Sequence, residues 1–169
     1  MKKSIRRIGI ALAAAAVVSA LVYHYFWFYI DEFAYKVNCV DKMVDTYKND
    51  VNVRNAFEYV NKEISDSADS ENTDLYEIIL PYSAELSENP LLGSNISLIS
   101  ENYSFLRNGI YMVAYDSGNF YYVFEESEYI FVSSDSRKPD ISCINSEDDY
   151  MDYALGNDMY LFVKLQYYD

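Results

Sequence analysis

Two cysteines, one histidine and a few close carboxylate pairs are the residues of this chain whose chemistry points beyond packing. Cys39 and Cys143 are an even pair set far apart. In an oxidising compartment they are expected to bridge, and closing a loop of about 100 residues contributes ~4.7 kcal/mol in the chain-entropy account. A metal site is not expected from them, because the single histidine, His24, lies in an apolar run and is not there to complete a ligand set. Within that run His24 has no ionisable neighbour, so it reads as a membrane-interface side chain rather than a proton relay.

Catalytic arrangements are missing their parts. Without a histidine elsewhere, Ser-His-Asp and Cys-His relays have no base, and no G-x-S-x-G, S-x-x-K or phosphate-loop pattern occurs. Glu125, Glu126 and Glu128, or Asp148 and Asp149, have the pairing that glycoside hydrolysis uses. With 27 acidic residues in the chain, such pairs arise by chance. The run from Asp140 to Asp149 lacks the ligand spacing of an EF-hand loop. The expectation is a protein that is not an enzyme and takes no metal or cofactor.

The elements that position these residues begin with Ile8 to Ile30, 23 residues without a charged side chain, preceded by Lys2, Lys3, Arg6 and Arg7 and followed by Asp31 and Glu32. As a helix the run is about 34 Å long, enough for a bilayer core of about 30 Å. Cations before the span and acids after it predict residues 1–7 as a cytoplasmic tail, 8–30 as a signal-anchor and 31–169 as an extracytoplasmic domain. Tyr23, Tyr25, Trp27 and Tyr29 suit the outer headgroup layer. A basic start and an Ala-rich span fit a bacterial inner membrane with the domain in the periplasm. Cleavage after Ala20 is the alternative, since Val18-Ser19-Ala20 has the small-residue pattern of a signal-peptidase site. A product beginning Leu21-Val22-Tyr23 would start with a hydrophobic end that has no reason to be soluble, which favours the uncleaved anchor.

Beyond residue 30 the chain carries nine cations against 27 carboxylates, a formal charge of −18. So acidic a surface repels nucleic acid and favours a basic protein partner or plain solubility. With 51% hydrophobic and 17% aromatic residues the 139-residue portion is expected to fold as one domain. Nineteen tyrosines give it rings that pack on one edge and hydrogen-bond at the other.

Residues 31–64 are expected to be helical. Phe33, Val37, Val40, Val44, Tyr47 and Val51 keep one apolar stripe, able to line a stalk dimer but expected to pack on the chain's own sheet, and Val53, Phe57, Val60 and Ile64 keep a second, with Asn52 as its N-cap. Residues 65–73 read as a loop, and a short helix before Pro81 gives way to irregular chain. Residues 95–169 are expected to be mainly sheet. A strand over 96–100, a hairpin of 110–115 with 120–125 about Asp116-Ser117-Gly118-Asn119, a strand over 129–133 and a final one over 159–166 make a four- to five-stranded antiparallel sheet. Ser146 before Glu147, Asp148 and Asp149, with Gly156 as a stop, predicts one helix over 146–155. The fold class is α+β, an antiparallel sheet packed on helices behind a transmembrane helix.

In the hairpin neither face is polar, so one should pack on helices and leave a tyrosine-rich face for the segment 81–94 or for a partner. The candidate partner-binding residues are Tyr111, Tyr115, Tyr121, Tyr122, Glu125, Glu126 and Tyr129. Two functions fit. The preferred one is an anchored extracytoplasmic binding protein, an immunity protein or inhibitor neutralising a secreted toxin or hydrolase. The other is a structural single-pass subunit of an envelope complex for secretion, division or conjugation.

Overall fold

A computed structural model of the chain describes residues 2–71, 75–80, 86, 88–116, 118–124, 127–134, 141 and 149–165. The chain divides between Cys39 and Val40 into two compact units. The described residues of the first are all helical and belong to α1 (Lys2–Asn49). Every described side chain from Leu12 to Phe28 is exposed. Among the described residues one helix is long and apolar enough to cross a membrane, and it is this one.

In the second unit α1 ends at Asn49 and α2 (Val51–Glu71) starts two residues later. The junction satisfies its own backbone groups. Asp50 Oδ1 accepts from the amides of Asn52 at 2.8 Å and Val53 at 3.3 Å, so the cap is Asp50 and not Asn52. Arg54 Nη1 donates to the carbonyls of Tyr47, at 3.0 Å, and Lys48, the last turn of α1. Val53, Ala56, Phe57, Val60, Ile64 and Ala68 form the buried stripe of α2.

The expected loop over 65–73 is helix as far as Glu71. Ala68 continues the stripe four residues after Ile64, and packing along it outweighs the modest helix cost of Ser and Asp. Helix α3 (Pro90–Asn102) replaces the strand expected over 96–100. Asn89 Oδ1 accepts from Leu92 N at 3.0 Å, Pro90 opens the first turn, and Leu92, Ile96 and Ile99 are buried at spacings of four and three. Asn89 Nδ2 also donates to Glu63 Oε2 of α2 at 2.9 Å, joining the two helices.

Six strands form one antiparallel sheet: β1 (Leu75–Ile79), β2 (Ile110–Asp116), β3 (Asn119–Phe124), β4 (Tyr129–Ser134), β5 (Tyr150–Gly156) and β6 (Met159–Lys164), in spatial order β1-β2-β3-β4-β6-β5. The expected hairpin is β2 and β3, closed by Asp116 opposite Asn119, with Gly118 at φ 86° where a side chain would be strained. The strands at 129 and 159 are also as expected. Two assignments change. The short helix before Pro81 is β1, an edge strand whose Ile78 pairs with Val113 of β2, and the helix over 146–155 is β5 from Tyr150 onward, with 146–148 outside the described residues. Gly156 is not a helix stop. Its φ of 93° precedes Asn157 and Asp158, both at positive φ, the pair of left-handed residues that a two-residue hairpin turn requires between β5 and β6.

Both faces of the sheet carry buried residues at its central strands. On one, Ile78, Val113, Tyr122, Phe131 and Leu161 lie in register across β1, β2, β3, β4 and β6, beneath Phe57 of α2. On the other, Ala114, Tyr121, Val123, Ile130, Val132 and Phe162 form one cluster, with Tyr111, Met112, Ile141, Tyr150 and Tyr160 packed against it. Of the two expectations for the tyrosine-rich face, covered or free for a partner, the buried cluster on this second face fits the covered one. Replacing the cap, Asn89→Ala, should cost about 1–2 kcal/mol. The loss is read as a lower denaturation midpoint of the full chain with an unchanged slope.

Candidate functional site

The aromatic groups converge on Phe57. Its ring meets Tyr122 edge-on at 4.5 Å between centroids, Phe131 at 5.5 Å, Tyr47 of α1 at 5.8 Å and Tyr103 at 6.4 Å. Tyr103, in the turn after α3, also packs on Phe124 at 5.4 Å and Phe131 at 5.2 Å. Each such pair contributes roughly 0.5–1.5 kcal/mol beyond area burial.

Two of these tyrosines are buried with opposite polar fates. Tyr122 OH donates to Asn61 Oδ1 at 2.6 Å, with the carbonyl of Phe57 at 3.2 Å, and thereby bolts β3 to α2. Tyr103 OH is buried with no hydrogen-bond partner among the described residues. Burial pushes the Tyr122 phenol well above its ordinary value, with the nearby Tyr47 a smaller contribution. Tyr103 is raised by the same desolvation, then by Tyr47 and Asp50.

A second polar cluster lies where β3 turns into β4. Ser127 is buried at φ 75°, an uncommon conformation for a residue with a side chain. Its hydroxyl hydrogen-bonds Tyr111 OH at 3.0 Å, and its carbonyl accepts from Tyr150 OH at 3.0 Å. The next residue, Glu128, accepts the backbone amide of Lys164 at 2.9 Å through its carbonyl. The turn is thus clamped to β2, β5 and β6. Chemically Ser127 faces a phenol rather than an imidazole, so the arrangement holds a strained turn and supplies no general base of the histidine kind. Sequence reasoning gave it no weight, since Ser127 stands among acidic residues and looks like solvated turn.

The candidate partner-binding residues separate. Tyr121, Tyr122 and Tyr129 are interior, Tyr111 and Tyr115 are half-buried, and Glu125 and Glu126 lie outside the described residues. Tyr115 leans on Phe120 at 4.8 Å and Tyr111 serves the Ser127 clamp. The five described tyrosines therefore do not share one exposed surface. Cys39 is buried, whereas Cys143 lies outside the described residues, and the expected bridge with it. No cluster of three or more metal-ligating side chains occurs among the described residues.

Among the described residues the exposed large apolar side chains gather mainly on α1. Leu12, Val17, Leu21, Phe26 and Phe28 all face outward, as do Tyr23, Tyr25 and Trp27, with Trp27 half exposed at 50%. Tyr23 stacks along the helix on Trp27 at 5.8 Å, and Tyr25 meets Tyr29 edge-on at 4.4 Å, their hydroxyls hydrogen-bonded. An aromatic belt of this kind is sequence-local, with partners four residues apart. No protein-family model, curated protein or solved structure matches this chain.

The two buried phenols make predictions of opposite sign. Tyr122→Phe leaves Asn61 and the Phe57 carbonyl short of a donor and should lose about 1–3 kcal/mol, while Tyr103→Phe removes an unpaired hydroxyl and should leave stability unchanged or raised. Denaturant titration of both variants checks this. Both phenols also contribute to a loss of stability at alkaline pH. In the unfolded chain they ionise near their ordinary value of 10.0, whereas in the folded chain they stay neutral to higher pH. The unfolded state then holds fewer protons, so this contribution to stability is intact below about pH 9 and is lost as pH rises beyond about 10. The fall, followed by denaturation midpoints across the alkaline range, should be shallower in Tyr103→Phe.

Proposed function

We propose that the chain is a membrane-anchored binding protein whose acidic domain captures a basic protein outside the cytoplasm. The observation that carries this reading is the uncovered apolar length of α1. A core helix of a soluble protein hides its apolar stripe, but here every described side chain from Leu12 to Phe28 is exposed. Left in water, that surface far exceeds the few hundred Å² of contiguous apolar patch that soluble monomers tolerate. Lipid supplies the missing cover. The belt from Tyr23 to Tyr29 then sits in the outer headgroup layer.

Direction follows from charge. Lys2, Lys3, Arg6 and Arg7 stay on the cytoplasmic side, and Asp31 and Glu32 begin the extracytoplasmic part. In a bacterium this is the inner membrane, with residues 31–169 in the periplasm. A formal charge of −18 on that part attracts a basic partner and speeds encounter at low salt. What is tethered there, acidic and without a general base of the histidine kind, has the properties of an immunity protein or inhibitor directed at a secreted toxin or hydrolase.

Two measurements test the reading. The full chain in nanodiscs should bind basic secreted toxins or hydrolases with an on-rate that falls about tenfold or more between low and physiological salt. Binding that is indifferent to salt, or absent across such a panel, would count against it. A C-terminal reporter should be active only outside the cytoplasm, and the purified protein should retain Met1 to Ala20 rather than begin at Leu21.

A further inference from the structure

The turn that leads from α3 into β2 contains Asn108-Gly109, the one Asn-Gly step in the sequence. Asn108 is exposed, and its side chain makes no hydrogen bond among the described residues. Other asparagines are held. Asn95 and Asn102 of α3 donate through Nδ2 to the carbonyls of Leu91 and Leu98, each at 2.9 Å, and are followed by the buried Ile96 and Tyr103. Asn119 donates to the Asp116 carbonyl at 3.2 Å and accepts from the Ser134 hydroxyl. Asn108 alone joins a solvated carboxamide to a following residue without a side chain.

We propose that Asn108 is a site of spontaneous deamidation, at which the folded chain converts in water to aspartate and isoaspartate. Hydroxide from the solvent removes the Gly109 amide proton, and that nitrogen attacks Cγ of Asn108. A bond forms between the nitrogen and Cγ, the Cγ–Nδ2 bond breaks, and ammonia leaves with a proton returned by water. The resulting succinimide ring then takes up water at one of its two carbonyls. Opening at Cγ gives aspartate, and opening at the main-chain carbonyl gives isoaspartate. One water is consumed and one ammonia released, with no change of oxidation state. Glycine suits the second position because no Cβ shields its nitrogen and its free backbone lets the ring close. Either product adds a carboxylate to an already acidic domain. Isoaspartate also lengthens the main chain by one carbon just before Ile110, where β2 begins. The place is tight, since a Cβ on Gly109 would lie 3.1 Å from Ser100 Oγ of α3.

The test incubates the full chain in nanodiscs at mildly acidic and mildly alkaline pH, beside a synthetic peptide of residues 104–110, and maps the amide-to-acid mass change in both. In the full chain Asn108 should convert about tenfold faster than any other asparagine. Its rate should rise about tenfold per unit of pH, as the deprotonated amide does. It should also lie within about tenfold of the rate in the peptide, because the fold leaves this side chain in solvent. Isoaspartate should accompany aspartate, detected by methylation with a protein isoaspartyl methyltransferase. Asn108→Gln, which would have to close a six-membered ring, should abolish conversion at this position while the far-ultraviolet dichroism stays unchanged. An Asn108 that stays intact, an earlier conversion at another asparagine, or aspartate formed without isoaspartate would each overturn the proposal.

Discussion

Phe57 is the contact on which the second unit depends. Its ring touches the end of α1 through Tyr47, the turn after α3 through Tyr103, and the middle of the sheet through Tyr122 and Phe131. Its carbonyl lies within hydrogen-bonding reach of the Tyr122 phenol. A helical carbonyl is ordinarily committed to the amide four residues on, so sharing it with a side chain places α2 along a direction that shape alone would leave free to slide. Apolar contact supplies the adhesion, and the phenol sets the register between helix and strand.

This division of labour explains why tyrosine rather than phenylalanine dominates the chain. Tyr122, Tyr111 and Tyr150 each carry a ring into the interior or its margin and spend the hydroxyl on a defined acceptor or partner. Tyr103 breaks the pattern, with its hydroxyl enclosed by aromatic neighbours and unmatched among the described residues. A sheet whose two faces are both interior has few places for water, so each phenol must be answered locally or leave a destabilising group behind. That constraint bears on the tyrosine-rich hairpin, where Tyr121 and Tyr122 are buried on opposite faces while Tyr111 and Tyr115 are half-buried.

Sequence pattern revealed the class and the strongest local signals and failed where two patterns overlap. The β2–β3 hairpin was legible because Gly118 and Asn119 impose a turn between two long apolar runs. The stretch 90–102 was not, since Ile96, Leu98 and Ser100 fit a two-residue period as readily as Leu92, Ile96 and Ile99 fit a helical one. Asn89-Pro90 was the deciding signal, an N-cap followed by a first-turn proline. At Gly156 the same residue serves a helix end or a hairpin, and the following Asn157-Asp158 decides for the hairpin. Strand β1 owes its state to pairing with β2, a long-range term that no local window contains. For the site, the apolar helix was legible from Ile8 to Ile30, while the Ser127 clamp depends on residues 16 and 23 positions away and left no local trace.

The composition of α1 changes along its length. From Leu12 to Phe28 it is apolar all round, which suits a solvent without hydrogen-bonding capacity, because an α-helix satisfies its backbone internally. From Val40 onward its apolar residues are confined to one stripe, as for any helix with one covered face and one wet. Between them Phe33 and Val37 keep the stripe while Asp31, Glu32 and Lys36 mark the return of water.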